Sequence, residues 1–386
     1  MRRIPIKKLQ AGNILAVPVK LPRTGVILLK EGLALAPRHI EYLLQYGLAE
    51  ESCYVFDTSE HSLLPQEDII ILQNFRTDIL QSIESIELKR TLAFTYTALS
   101  DLVKEMKAGS QISLQPIQDA SEQIARQVLE NNGVMLQLAA LKIINEYTFC
   151  HSVNVAIYAV SFGKFLGLKR HTLRELALSG LLHDIGKLSI SPQIIDKPGE
   201  LTREEFEQVK RHTYEGYRRL VKKTGVSNDV LQAVLLHHER CDGSGYLLGL
   251  QGKKIHPWAR MLAIIDIYDA LTSRRCYRDA VLPHETVDYL MGLSTQGALD
   301  FDMLNLYLKN MPVYPEGCQV SLSTGEKGTV VETPPGIPLR PVVEVSSLAR
   351  GKQISKEAPA DPLGVKRKRV DLCINPTIFI TSIDSR

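Results

Sequence analysis

Imidazole and carboxylate side chains are concentrated in the middle third of this chain. Seven of the ten histidines lie between residues 151 and 256, a density too high for incidental surface histidines. Clustered imidazoles and carboxylates are the ligands that several divalent metal ions prefer in proteins. The residues therefore predict a metal site with nitrogen and oxygen ligands, and hence an enzyme. The cluster comprises His151, His183, Asp184, His212, His237, His238, Glu239 and Asp266.

Two adjacent pairs in this cluster, His183-Asp184 and His237-His238, indicate more than one metal ion. Each pair ends an apolar stretch that is predicted to be a helix. Consecutive residues of a helix point roughly 100° apart, so both serve one site only if something spans the gap. A carboxylate spans it by bridging two cations, and two adjacent imidazoles suit distinct ligand positions.

Asp266 supports the same interpretation from a different direction. It lies within the apolar run of residues 261–267, where an unpaired carboxylate would cost several kcal/mol. Coordination of a cation removes that penalty. Two metals about 3.5–4 Å apart, with a hydroxide activated between them, are the usual apparatus for hydrolysing phosphate esters.

Three motifs follow one another in the order and at the intervals of a known family. They read HDIGK at residues 183–187, HHERCDGSGY at 237–246 and DIYDALTS at 266–273. Over about residues 146–312 the chain resembles the HD-GYP family, a subgroup of the HD metal-dependent phosphohydrolases. The resemblance implies an all-helical catalytic domain and a dinuclear or trinuclear metal centre. It also implies hydrolysis of cyclic di-GMP to the linear dinucleotide pGpG or onward to GMP.

The resemblance also implies how the metal ligands are divided. Asp184 matches the carboxylate that bridges the metals in the family. The ligands of one metal fall on His151, His183 and Asp266, and those of the other on His212, His237 and His238. With no cysteine among them, this set suits iron or manganese, with zinc and nickel as alternatives.

Further residues match positions that the family uses against its substrate. Lys187 matches the lysine that approaches the scissile phosphate, where a cation stabilises charge developing on the phosphoryl oxygens. Tyr246, Arg275 and Arg278 match substrate contacts, and the planar fork of arginine meets a phosphate or a guanine edge with two hydrogen bonds. The alternative for each is an ordinary surface or packing residue.

The expected reaction is an in-line attack on phosphorus by the hydroxide that bridges the two metals. The leaving oxygen needs a proton in addition. Asp269, one helical turn after Asp266, is a candidate for donating that proton or positioning water. The alternative for Asp269 is a partner that orients a ligand histidine.

Two positions depart from the family pattern. Leu247 follows Gly245-Tyr246 where the family has proline, which would fix φ and stiffen the loop. We therefore expect a more mobile loop and altered substrate affinity. Tyr147 stands four residues before His151, where trinuclear members place an acidic ligand. The neighbouring Glu146 would point elsewhere on a helix, so two metals are expected rather than three.

Two other functions remain open from the sequence. The first is a catalytically weak signalling module that keeps the metal ligands but binds a cyclic dinucleotide or a partner protein, suggested by Leu247. The second is a phosphodiesterase for another cyclic dinucleotide or for a nucleotide monophosphate, because the motifs indicate phosphoester chemistry more directly than they indicate the base.

The composition of the chain limits its number of domains, its partners and its location. The chain has 386 residues, is 44% hydrophobic and carries a net charge of +3, which predicts two to four domains and does not favour binding to polymeric nucleic acid. Six cysteines without a C-x-x-C pair predict reduced thiols. No signal peptide or membrane span is expected, so we predict a cytoplasmic protein whose partners are its small-molecule substrate and a second copy or a signalling protein.

The predicted fold is multidomain and mainly α, with the HD-type catalytic domain flanked by small β-containing domains at both ends. Residues 1–60 are predicted to form an α+β module with a helix at 38–46. Residues 61–145 are predicted to be helical and to form a connecting stalk, a dimer surface or the first helices of the catalytic domain. The catalytic domain is assigned to residues 146–312.

Residues 313–386 are predicted to form a small β unit. Residues 320–331 alternate around a glycine turn, as a hairpin should, and residues 341–345 continue the strand pattern. Residues 351–366 are polar and contain proline, which predicts a long or disordered loop. The basic run at 366–369 is predicted to be a solvated loop.

Overall fold

The protein is described by a computed structural model that divides into two compact units. One unit comprises Met1–Thr97 with Ile143–Glu146, and the other comprises Ala98–Lys142 with Tyr147–Arg386. The described residues are 2–10, 13, 15, 19–20, 27–29, 35, 39–40, 43–44, 48, 51–55, 85–109, 112–140, 147–197, 199–223, 225–273, 280–334, 336–347, 366–372 and 379–383.

The N-terminal unit contains two short antiparallel strand pairs. Strand β1 (Arg2–Pro5) pairs with β4 (Ser52–Val55), and β2 (Val19–Lys20) pairs with β3 (Ile27–Leu29). Within the predicted helix, the described residues 39–40 and 43–44 are helical. The strands and this helical segment enclose a small apolar core made of Ile4, Ile6, Leu9, Leu15, Val19, Leu35, Leu43, Leu48, Cys53 and Val55.

Helices make up most of the rest of the described chain. They are α1 (Ile86–Ala108), α2 (Gln115–Ala140), α3 (Tyr147–Phe165), α4 (Arg170–Leu182), α5 (Pro192–Ile195), α6 (Arg203–Lys210), α7 (His212–Leu220), α8 (Asn228–Leu236), α9 (Pro257–Thr272), α10 (Pro283–Thr295) and α11 (Phe301–Asn310). In the described part of the chain, no helix combines the length and the apolar character needed to cross a membrane.

Helix α2 packs against both α3 and α4. It is kinked at Asn131, and the Lys164 ammonium of α3 donates hydrogen bonds to the carbonyl oxygens of Val128 and Leu129, at 3.1 and 2.9 Å. Of the three roles open for residues 61–145, this packing favours the first helices of the catalytic domain for α2. The boundaries assigned at 60, 145 and 312 stay predictions.

The described C-terminal residues contain the strands β5 (Gln319–Leu322), β6 (Lys327–Glu332), β7 (Val342–Ser347), β8 (Lys366–Asp371) and β9 (Ile380–Ile383). They form one antiparallel sheet in the order β8-β7-β6-β5-β9. The predicted hairpin is confirmed, because β5 pairs with β6 around a turn in which Gly325 adopts a φ of +81°.

The prediction of a solvated loop at residues 366–369 is wrong. These residues belong to β8, which pairs with β7 from Lys366 opposite Ser347 to Asp371 opposite Val342. Backbone hydrogen bonds hold an edge strand without regard to side-chain polarity, and the buried Val370 attaches its end to the core. The rest of the predicted long loop, residues 351–365, lies outside the described residues.

The sheet does not stand apart from the helices. Its apolar core includes Val287 of α10, and the partly buried Ala140, Met291 and Leu308 of α2, α10 and α11 pack against that core. Helix α10 therefore has one face against the sheet.

Candidate metal centre

The predicted ligands lie at the ends of helices or on their buried faces. His151 is in α3, and His183 directly follows α4. His212 is the first residue of α7, the His237-His238 pair directly follows α8, and Asp266 is in α9. Asp184 precedes a 3-10 turn formed by Ile185–Ser189. The fold thus brings together side chains that are more than 100 residues apart in sequence.

The seven side chains form two groups of potential metal-binding atoms, and the atoms of each group lie within 4.8 Å of one another. Six of the seven residues are buried, and the side chain of His238 is 17% exposed. The first ligand group contains His151, His183 and Asp266, and the second ligand group contains Asp184, His212, His237 and His238.

Asp184 lies between the two groups, with one oxygen facing each. Its Oδ2 is 3.8 Å from Nε2 of His151 and 3.3 Å from Nε2 of His183. Its Oδ1 is 3.3 Å from Nε2 of His212 and 3.9 Å from Nε2 of His237. A carboxylate in this position can contact a cation in each group.

Gly186 allows the two groups to approach. The turn that follows Asp184 packs against the start of α7, and a Cβ on Gly186 would lie 1.9 Å from the carbonyl oxygen of His212. Any side chain here would push His212 away from Asp184. The glycine of the HDIGK motif is therefore required by a close backbone contact.

Backbone carbonyls hold three of the histidine rings. In each, Nδ1 bonds to the carbonyl oxygen three residues earlier: His183 to Gly180 at 2.8 Å, His212 to Val209 at 2.7 Å and His237 to Val234 at 2.9 Å. Because a carbonyl oxygen only accepts, Nδ1 carries the proton and Nε2 presents its lone pair. This is the tautomer that a metal ligand needs.

A side chain, instead of a carbonyl, holds His151. Its Nδ1 is 2.8 Å from Oδ2 of Asp269, and Asp269 also accepts hydrogen bonds from Asn154 at 3.1 Å and Ser273 at 3.4 Å. Asp269 is fully buried. Of the two roles left open for Asp269, these contacts favour orienting a ligand histidine over donating a proton to substrate.

The arrangement fits bound cations. Within the described part of the chain, the buried Nε2 of His183 and Oδ1 of Asp184 have no hydrogen-bond partner, a costly state for buried polar atoms. Nε2 of His212 lies 3.3 Å from Nε2 of His237, so two lone pairs face each other. One cation in each ligand group would satisfy these atoms.

The second ligand group is largely unprotonated at its imidazoles, which favours metal binding. Burial lowers the pKa of His212 to about 4 and that of His238 to about 3, and it also depresses the pKa of His237. These three imidazoles are therefore neutral near pH 7. For Asp184, burial opposes ionisation, but the Lys187 charge together with the neighbouring His183 and His212 outweighs it and holds the pKa of the carboxyl well below its usual range.

The first ligand group differs in one respect. Burial acts to lower the pKa of His151, but hydrogen bonds to Asp266 and Asp269 outweigh it and raise the pKa to about 9. Nε2 of His151 lies 3.0 Å from Oδ1 of Asp266. In the metal-free protein His151 is therefore protonated near neutral pH, and a metal ion must displace that proton.

A cavity of about 300 Å³ opens above the ligands. Its lining includes Lys187, Arg240, Tyr246 and Tyr289 together with ligands from both groups. The Lys187 ammonium forms an ion pair with Oδ2 of Asp184, and its side chain is 32% exposed. The cavity therefore combines metal-binding atoms at its base with cationic and aromatic side chains on its walls.

Tyr246 lies directly over one of the ligands. Its ring stacks on His238 with 4.8 Å between centroids, and the ring of Phe206 meets it edge-on at 6.2 Å. The ammonium of Lys210 lies 5.7 Å from the centre of the Tyr246 ring. Burial raises the pKa of Tyr246, so its hydroxyl keeps its proton and can donate a hydrogen bond into the cavity.

The predicted substrate contacts Arg275 and Arg278 lie outside the described residues. So does Glu146, and Tyr147 is described only as the first residue of α3, so the expectation of two metals instead of three stays a prediction. Leu247 is 40% exposed on the loop beside the cavity.

Four residues on or beside the cavity were not predicted. Arg240 stands inside a recognised motif, and Phe206 and Lys210 are spaced one helical turn apart on α6, so a weak signal existed for these three. Tyr289 has no local signal, since only the packing of α10 brings it to the cavity.

Comparison with known proteins gives the class of this domain. Residues 125–302 match the HD domain family, and residues 319–386 match a KOW domain associated with HD domains. A solved HDG"Y"P protein from Bdellovibrio bacteriovorus has a similar fold, with a TM-score of 0.52 at 16% identity, covering 79% of this chain and 97% of that one.

Curated relatives extend the comparison. A cyclic di-GMP phosphodiesterase from Pseudomonas aeruginosa is 36% identical over 255 residues, 66% of this chain and 61% of the relative. A 3'3'-cGAMP-specific phosphodiesterase from Vibrio cholerae is 36% identical over 180 residues, 47% of this chain and 42% of the relative. The chain thus spans less than two thirds of the length of either.

Residues 125–302 therefore form an HD domain, the fold of a class of metal-dependent phosphohydrolases. Its three motifs resemble those of the HD-GYP family, its relatives include cyclic di-GMP phosphodiesterases, and the solved structure supports the fold. The expected fold class is confirmed: a mainly helical protein with an HD domain, small N-terminal strands and a C-terminal sheet. An HD domain implies binding of a divalent metal, and the histidine and aspartate cluster supplies side chains suited to hold it.

Proposed function

We propose that the protein is a metal-dependent phosphodiesterase that hydrolyses cyclic di-GMP to pGpG, GMP or both. The observation that carries the proposal is the position of Asp184, whose two oxygens face two separate groups of imidazoles at the base of one cavity. The activity named for the Pseudomonas relative supports cyclic di-GMP as the substrate.

The proposed cofactor is a pair of divalent metal ions, iron or manganese, shared between the two ligand groups. Bound there, they would supply Lewis-acid activation of water and of the phosphate. The first ligand group would hold one ion and the second the other, with Asp184 contacting both. Hydrogen bonds from Nδ1 to backbone carbonyls and to Asp269 fix the orientation in which the imidazoles bind.

Lys187 is proposed to bind the scissile phosphate. Its ammonium pairs with Asp184 and is partly exposed in the cavity, so it reaches both the ligands and a bound substrate. A lysine in this position stabilises negative charge that grows on the phosphoryl oxygens. The protonated hydroxyl of Tyr246 and the guanidinium of Arg240 provide further donors on the cavity wall.

Three other roles complete the proposal. Asp269 orients His151 through the 2.8 Å contact described above. Arg275 and Arg278 are retained as proposed substrate contacts on the strength of their motif positions. A cytoplasmic location and a second copy or signalling protein as partner stay predictions.

The direct test is turnover by protein purified without oxygen and loaded with ferrous iron or manganese. Cyclic di-GMP should be converted to pGpG or GMP, and metal analysis should find two ions per chain. A His183→Ala, Asp184→Ala double variant should lose both metal and turnover. Turnover by this variant equal to that of the unaltered protein would contradict the mechanism. Tight binding of cyclic di-GMP without turnover under any divalent metal would favour a signalling module.

A second substrate is favoured by a specific observation. The Vibrio relative is named for 3'3'-cGAMP, which shares the cyclic phosphodiester and one guanine with cyclic di-GMP. Parallel kcat/KM measurements with cyclic di-GMP and 3'3'-cGAMP decide between the two. A higher value for 3'3'-cGAMP would reassign the substrate without altering the proposed chemistry.

A further inference from the structure

Glu239 is a buried carboxylate that belongs to neither ligand group. It directly follows His238 and is 2% exposed. Its Oε1 accepts a hydrogen bond from the backbone amide of Leu248 at 2.6 Å, and its Oε2 accepts one from the amide of Leu250 at 3.0 Å. Both oxygens are thus directed at the backbone of the loop that carries Tyr246.

The same loop is also held close to the end of α8 through its main chain. The amide of Tyr246 donates a hydrogen bond to the carbonyl oxygen of His238 at 3.2 Å. A Cβ on Gly245 would lie 2.3 Å from the amide nitrogen of Arg240 and 2.5 Å from Cα of Glu239. Residues 245, 246, 248 and 250 therefore contact residues 238–240.

These contacts restrain the backbone on both sides of the Tyr246 ring. Its stacking partner His238 immediately precedes Glu239, so one short segment supplies both the ring beneath Tyr246 and the carboxylate that anchors its loop. Phe206 and Lys210 of α6 contact other sides of the ring. Phe206 is exposed and Lys210 has a flexible side chain, whereas Glu239 is buried.

We propose that Glu239 is a positioning residue that holds Tyr246 over His238 and thereby sets the affinity of the cavity for its nucleotide. The inference rests on the proposed function, because it takes a guanine nucleotide as the ligand. A charged carboxylate that accepts two amide hydrogen bonds in a buried setting is a strong restraint on a loop. Leu247, which stands where the HD-GYP motif has proline, lies inside the restrained segment. Anchoring by Glu239 therefore limits the backbone mobility that the missing proline would otherwise allow.

The matched change is Glu239→Gln in the full-length, metal-loaded protein. Glutamine keeps the shape but turns one acceptor oxygen into a donor that faces a backbone amide. We expect KM for cyclic di-GMP to rise roughly tenfold, as for loss of one charge-assisted hydrogen bond. The kcat and the metal content should stay within about twofold of the unaltered protein, since the metal ligands are unchanged.

Two readouts do not depend on turnover. Amide hydrogen exchange at Leu248 and Leu250 should accelerate in Glu239→Gln. The Kd for GMP, which has no phosphodiester bond to hydrolyse, should weaken by the same roughly tenfold factor as KM. Glu205→Gln is the control, because Glu205 also accepts a backbone amide, that of Thr202, but at the N-terminus of α6.

A double-variant cycle shows whether Glu239 acts through Tyr246. If it does, Glu239→Gln should leave the Kd for GMP unchanged when Tyr246→Ala is already present. The inference is overturned if Glu239→Gln removes metal, lowers kcat with KM unchanged, leaves the two amides protected, or acts equally in both backgrounds. Absence of turnover by the unaltered protein would contradict the proposed function instead. Amide hydrogen exchange and the Kd for GMP would then still test the positioning role of Glu239.

Discussion

The two ligand groups are built from similar residues, but the first contains one histidine, His151, that is held by a side chain instead of a backbone carbonyl. In the second group, His212 and His237 are oriented by backbone carbonyls and are neutral at pH 7. In the first group, His151 is oriented by the side chain of Asp269 and has a pKa of about 9. The first group therefore depends on a residue that can be substituted and must lose a proton before it binds a metal.

The difference shows how one site can combine a fixed and an adjustable half. A backbone carbonyl is present whatever the side chain, so the orientation of His212 and His237 resists mutation. A buried aspartate can be replaced, which makes the metal affinity of the first group open to change. Asp184 faces both ligand groups, so its substitution should weaken metal binding in both and remove the difference between them.

Asp184→Ala should have the largest effect, because it removes the carboxylate that faces both groups. We expect turnover to fall to background, well beyond the roughly 100-fold that loss of an orienting partner costs. Metal content and turnover are measured on the same preparation. Retention of two tightly bound ions by Asp184→Ala would contradict the assignment of this residue to both groups.

The second-largest expected effect is a difference between the two ligand groups in how their metal affinity depends on pH. Below pH 9 a metal entering the first group must displace the proton on His151, so its affinity should fall about tenfold per pH unit. The second group contains His212 and His238, with pKa values of about 4 and 3, and should show no such dependence between pH 6 and 8. At pH 6 the second group should fill first.

Calorimetric titration of manganese into the metal-free protein, in buffers of different ionisation enthalpy, counts the protons released at each step. One proton should accompany the weaker binding event near pH 7. Equal pH slopes for both events would show that His151 is not protonated in the metal-free protein.

Asp269→Ala should affect the first group alone. Removing the partner that orients a ligand histidine costs roughly 10–100-fold in metal affinity. The pKa of His151 should fall as well, because one of the two carboxylates that raise it is gone. Metal analysis at limiting manganese should find about one ion per chain instead of two, with His151 followed by NMR. A uniform loss of both ions would mean that Asp269 supports the whole site.

The smallest expected effect is the decrease in thermal stability when the metals are removed. A ligand present at 100 times its Kd stabilises the folded state by about 2.7 kcal/mol, and each kcal/mol moves Tm by roughly 2–4 °C in a domain of this size. A chelator should therefore lower Tm by several degrees in differential scanning calorimetry. Asp184→Ala serves as the control and should show no further decrease.

The sequence predicts the clustering of the candidate ligands well because their signals are local. Adjacent pairs such as His183-Asp184 are visible in the chain, and an aspartate in an apolar run, such as Asp266, needs a partner wherever the chain folds. The structure gathers all seven side chains, although their individual roles stay proposals.

Other features could not be predicted because they depend on tertiary contacts. The sequence left two roles open for Asp269, and only its contacts with His151 and Asn154 favour one of them. Nothing local indicates that Glu239 accepts amides nine and eleven residues later in the chain. The basic strand β8 was missed because side-chain polarity was taken as a guide, whereas backbone pairing with β7 decides its structure.

Helix α10 has a consequence for how this protein can diverge. Val287 packs in the core of the C-terminal sheet, and Tyr289, two residues later, lines the cavity above the metal ligands. Helix α10 therefore contacts the core of the sheet and also lines the cavity. Substitutions that repack the sheet shift the wall of the cavity, so we expect the sheet and the helical domain to be inherited together instead of being exchanged as separate modules.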